Sequence, residues 1–98
     1  LDRVLSGSYG IFSGVPRHRA RLQFTAERAR WVAAERWHEN QSGAWQPDGS
    51  FVLEVPYADD RELVMDILKH GAAVKVLGPP ELQVRVRTEL ANALTAQG

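Results

Sequence analysis

The chain has no cysteine. That excludes disulfides, thiolate zinc sites and cysteine nucleophiles, and it fits a reducing cytoplasm as the compartment. No apolar run approaches the roughly 18 residues of a membrane helix, and the first residues do not form a signal peptide. No excess of charge exists overall: 12 basic side chains balance 12 acidic ones. Strong nucleic-acid binding by this domain alone would need a basic face, so the balance argues against it. No glycine-rich phosphate loop is present, and His18, His38 and His70 stand in no HxxxH or HExxH spacing. The sequence therefore implies no metal and no cofactor. With no nucleophile set beside a base, it implies no catalysis either.

What remains is the composition of one soluble domain, 98 residues long, 44% apolar and 24% charged. Its charge is unevenly spread. Residues 1–36 carry seven arginines against Asp2, Glu27 and Glu35, a net of +4, whereas residues 37–98 carry a net of −4. Such a split suits a local arginine patch, or two subunits meeting through complementary faces. "SGSYGIFSGVP" (Ser6 to Pro16) has linker composition, yet Tyr9, Ile11 and Phe12 are too apolar for a free linker and are expected to anchor it. The chain opens mid-pattern at Leu1 and is expected to be a piece of a longer protein.

"RARLQFT" (Arg19 to Thr25) alternates, with Ala20, Leu22 and Phe24 on one face and Arg19, Arg21 and Gln23 on the other, as in a half-buried strand. Thr25 can cap a helix from Ala26 to about Glu35. "PDG" at Pro47 to Gly49 marks a turn between two hairpin arms, Trp37 to Gln46 and Ser50 to Tyr57, with Ser42-Gly43 as a bulge in the first. A capping box from Asp59 to Glu62 opens a second helix whose stripe is Leu63, Val64, Ile67 and Leu68, with Gly71 closing it. His70, in its last turn, is placed to act as a cation complementing the helix end. Ala72 to Gly78 forms a last strand. A third helix from Pro79 carries Leu82, Val86, Leu90, Ala93 and Leu94 at helical spacing. It either covers the open sheet face or packs on a neighbouring subunit.

Without the last helix the order is βαββαβ. The expected class is α+β: a ferredoxin-like fold with an antiparallel four-stranded sheet, plus an additional C-terminal helix. "WHENQ" (Trp37 to Gln41) gathers groups that suggest chemistry. If it is a strand, however, His38 and Glu39 point to opposite faces and cannot act together. Trp31, Trp37 and Trp45 are expected to pin the hairpin to the sheet or to a partner.

The segments "RARLQFTAERARWVAAERWHENQ", "DGSFVLEVPYADDRELVMDILKHG" and "VKVLGPPELQVRVRTELANAL" together resemble the C-terminal extension, or WCX domain, of bacterial WYL-domain helix-turn-helix transcriptional regulators. The order and spacing carry the likeness, although Glu39 stands where the related pattern has proline. "LDRV" is similar to the end of the preceding WYL barrel, so the resemblance divides the chain into 1–16, the WYL end and linker, and 17–98, the WCX domain. It implies a non-enzymatic regulatory and dimerisation domain of a homodimeric cytoplasmic regulator. DNA would be bound by an N-terminal domain, with the response modulated by a nucleic-acid or nucleotide-like effector. Arg17, Arg19, Arg21, Arg28, Arg30, His38 and Gln41 are the candidate effector or intersubunit surface. Tyr9, Ile11 and Phe12 are the linker and interface anchors. The alternative is a small-molecule sensor of the amino-acid-binding ferredoxin-like kind.

Overall fold

The structure, a computed structural model, describes residues 18–98. Arg17, the 1–16 segment and its anchors Tyr9, Ile11 and Phe12 lie outside the described residues. Strand β1 spans His18–Phe24, β2 Ser42–Trp45, β3 Phe51–Tyr57 and β4 Val74–Gly78. Helix α1 spans Ala26–Val32, α2 Arg61–Leu68 and α3 Pro80–Ala96. The strands form one sheet in the order β2-β3-β1-β4 with every neighbouring pair antiparallel. This is the expected α+β, ferredoxin-like arrangement with a further C-terminal helix.

Alternation in the sequence becomes sidedness in the sheet. Ala20, Leu22 and Phe24 of β1 face the same side as Phe51, Leu53, Val55 and Tyr57 of β3, and all are buried. Ala29 and Val32 of α1, Leu63, Val64 and Ile67 of α2, and Leu82 and Val86 of α3 complete a single core. The third helix thus packs against α2 and β4 through its first turns. It joins the same core instead of covering the opposite sheet face. Farther along, Leu90 and Leu94 are exposed.

Local chemistry sets several boundaries differently from expectation. Thr25 caps α1 as anticipated, its Oγ1 accepting from the Arg28 N–H at 3.3 Å. The helix ends at Val32, not near Glu35. Ala34 and Glu35 donate to Trp31 and Val32, three residues back, so the last turn tightens and stops. The Asp59–Glu62 capping box does not form. Asp59 accepts from the Arg61 N–H at 2.9 Å and also chelates its guanidinium, Asp60 is the N-cap, and Glu62 Oε1 is buried without a partner among the described residues. Gly71 does close the turn after α2, with φ +56. Ala72 and Ala73 belong to a 3-10 turn preceding β4.

In the hairpin, the "PDG" turn is tied by Asp48, whose carboxylate accepts from the Ser50 hydroxyl at 2.6 Å and its N–H at 3.0 Å. Gly43 is no bulge: it pairs in register with Leu53, and glycine is needed there because a Cβ would overlap the Phe51 ring. The irregularity lies in β4 opposite Arg21 and Leu22, where the register shifts.

Candidate functional site

The candidate residues are carried by three separate parts of the fold. Arg19 and Arg21 lie on the sheet face opposite the core, pointing away from all three helices. Both hold Glu54 of β3: Arg19 Nε at 2.8 Å and Arg21 Nε at 3.4 Å from its carboxylate. The Arg19 hydrogen bond, with Arg21 adding to it, keeps the Glu54 carboxyl below the usual range. Arg19 also donates to Ser42 Oγ at 3.0 Å. Gln23 and Lys75 continue this face by register. Two arginines against one glutamate leave it with an excess of positive charge, half-exposed and screened by solvent. At its end a shallow cavity of about 290 Å³ is lined by Gln23, Thr25, Asp48, Ser50 and Lys75 among others.

Arg28 and Arg30 sit on α1, away from that face. Arg28 turns inward, and its Nη1 donates to His70 Nδ1 at 2.9 Å. Arg30 lies over the exposed ring of Trp31, 5.6 Å from its centroid. Arg28, Trp31, Glu35 and His70 line an open hollow of about 340 Å³.

His38 and Gln41 belong to the third part, and "WHENQ" is a closed turn, not a strand. The Gln41 side-chain oxygen accepts from the Trp37 N–H at 2.5 Å and the His38 N–H at 3.0 Å, while its amide donates to the Glu35 carbonyl at 3.0 Å. His38 Nδ1 accepts from the Asn40 N–H at 2.9 Å, and the ring is buried. One glutamine therefore satisfies three backbone groups of a chain that has left the helix without entering the sheet. The Trp37 indole N–H donates to the Glu35 carboxylate at 3.0 Å.

This turn positions Trp37 in the core. Its ring stacks on His70, with centroids 5.9 Å apart and planes at 14°, and meets the edge of Phe24 at 5.9 Å. His70 is only 8% exposed. Burial lowers its pKa from 6.5, and the Arg28 charge lowers it further. With Nδ1 accepting from Arg28, the ring is the neutral tautomer carrying hydrogen on Nε2, which is itself buried without a partner among the described residues. A cation here would face a guanidinium and lose that hydrogen bond. His70 is thus a neutral acceptor, not the cationic helix cap anticipated. Of the three tryptophans only Trp37 is buried; Trp31 is 56% exposed, and Trp45 is 57% exposed at the hairpin edge, against Phe51.

A further cleft, of about 480 Å³, was not singled out by sequence patterning. It lies between the start of β1, the end of β3 and the starts of α2 and α3, and is lined by His18, Tyr57, Asp60, Glu81 and Arg85 among others. Among the described residues no group of three metal-ligating side chains converges. No helix there is long and apolar enough to cross a membrane.

No curated protein matches the chain. The family model of the WCX domain matches residues 16–94, which covers all four strands, α1, α2 and most of α3. WCX domains are a regulatory family, not known as catalytic, found as the C-terminal part of WYL-type regulators. The match spans well over half of the sequence: the chain belongs to the WCX domain family.

Proposed function

We propose that this chain is the dimerisation and effector-response domain of a homodimeric bacterial DNA-binding regulator, and that the sheet face bearing Arg19 and Arg21 contacts a nucleic-acid or nucleotide-like effector. The family match over residues 16–94 carries the regulatory reading. The effector reading is supported by the second side of the sheet. No helix of the described fold uses that side, and its guanidinium groups suit phosphate, to which arginine donates in pairs. Their shared contact with Glu54 orients them and can be exchanged for phosphate oxygens. DNA itself would be held by an N-terminal domain of the longer protein, in the cytoplasm.

A fluorescent single-stranded oligonucleotide titrated into the full chain tests the assignment. Expected is weak binding that falls as salt rises, because each neutralised phosphate releases counterions. Double reversal of Arg19 and Arg21 to glutamate is expected to abolish it, while reversal of Arg30, on the other side of the fold, leaves it in place. Equal binding by the wild type and the double variant would sink the sheet-face assignment.

A further inference from the structure

The cleft at the helix starts combines features that the sheet face lacks. Tyr57 is 4% exposed and lines this cleft. Its hydroxyl makes no hydrogen bond among the described residues and is the part of the side chain left open to the cleft. Asp60 and Glu81 both act on that hydroxyl. Burial, with these two carboxylates adding to it, pushes its pKa up to about 12, so the group stays a neutral O–H at any physiological pH. The ring is flanked by His18, with centroids 5.2 Å apart and planes tilted by 31°. Both residues line the cleft, and of the two rings that of His18 is exposed.

The charged lining is uneven. Among the described residues, Asp59, Asp60 and Glu81 face Arg61 and Arg85, an excess of one carboxylate. Asp59 is taken up by Arg61 at 2.7 Å, and Asp60 holds Arg85 Nη1 at 3.3 Å. Glu81, in the first turn of α3, has no ion pair or hydrogen bond among the described residues. The groups left over are thus a free carboxylate, an unpartnered hydroxyl and an aromatic pair. A planar or compact cation satisfies these groups: it pairs with Glu81, donates to the Tyr57 oxygen and lies beside the exposed His18 ring.

From this we infer that the cleft between Tyr57, Glu81 and His18 is a binding site for a small organic cation, a guanidinium or primary ammonium compound. An anion would meet the excess carboxylate. An apolar ligand would bury the Tyr57 hydroxyl and Glu81 without partners. The site is separate from the Arg19/Arg21 face and does not depend on that face binding an effector.

Isothermal titration of the full chain with agmatine, and separately with putrescine, tests the inference; sodium acetate serves as the anionic control. Expected is saturable 1:1 binding of at least one of the two cations and none of acetate. Glu81→Gln should weaken it by about tenfold or more, as loss of a charged hydrogen bond does. Tyr57→Phe should weaken it by a few-fold, with an unchanged circular dichroism spectrum. Because Glu81 is exposed, its variant is expected to fold, so affinity remains readable even if the Tyr57 variant does not. Absence of cation binding at millimolar concentration overturns the inference. So does binding that is equal in wild type and Glu81→Gln, or a heat of binding from acetate alone.

Discussion

His70 shows how one side chain's surroundings reverse its expected character. The end of a helix favours a cation within its last turn. That gain is small beside the cost of charging an imidazole stacked on Trp37, edge-on to Phe24 and accepting from Arg28. Its folded pKa lies below the 6.5 of the free group. Below that value the unfolded chain takes up the proton first, so acidification favours unfolding. The stabilisation is intact above about pH 6.5 and is lost as pH falls toward the folded pKa. We expect the urea midpoint of the wild type to drop between pH 7.5 and 5.5. His70→Gln should cost about 1–3 kcal/mol at pH 7.5. The wild-type advantage over this variant should narrow on acidification. An advantage constant across that range would mean that His70 does not titrate with folding. None of this was legible from "LKHG", because Trp37, Phe24 and Arg28 reach His70 from distant parts of the chain. The free hydroxyl of Tyr57 was not legible either, since Asp60 and Glu81 are brought to it by two different helix starts.

Elements that follow a single period were legible in full. β1 alternates from Arg19 to Phe24, and its inward Ala20, Leu22 and Phe24 are all buried; in β3 the alternate residues Phe51, Leu53, Val55 and Tyr57 are buried, although Glu54 is the only charged residue between them. The segment from Trp37 to Gln41 was misread as a strand because one tryptophan stood in for alternation. Its other four residues are polar, and the Gln41 side chain, four positions on, replaces sheet pairing with local bonds to Trp37 and His38. In α3 the stripe Leu82, Val86, Leu90 and Leu94 is continuous in sequence, but the core it serves ends after two turns. Leu82 is 1% exposed and Leu94 75%. Leu82→Ala is therefore expected to cost about 2–5 kcal/mol through the cavity it leaves. Leu94→Ser should stay within about 0.5 kcal/mol of the wild type. Chemical unfolding of both variants checks the contrast; a large loss from Leu94→Ser in dilute solution would mean that the end of α3 is covered in the native assembly.

At the scale of the whole molecule, the charge split persists in the fold. β1 and α1 carry Arg19, Arg21, Arg28 and Arg30, whereas the starts of α2 and α3 carry Asp59, Asp60, Glu62 and Glu81. On the homodimer reading, a basic region of one subunit has an acidic region of the other available to it. Long-range attraction of this kind is screened within about 8–10 Å at physiological ionic strength and within about 3 Å at 1 M. Self-association is therefore expected to weaken as salt rises. Burial of apolar surface alone would give the opposite trend with a strongly excluded salt such as sulfate. Sedimentation equilibrium of the full chain at low and high sodium chloride, repeated in sodium sulfate, separates the two. Dimer dissociation that increases in both salts would assign the contact to the charged regions. Association strengthened by sulfate would assign it to exposed apolar groups such as Leu90, Leu94 and Trp31. A monomer under every condition would remove dimerisation from this chain's role and leave any pairing of subunits to the rest of the regulator.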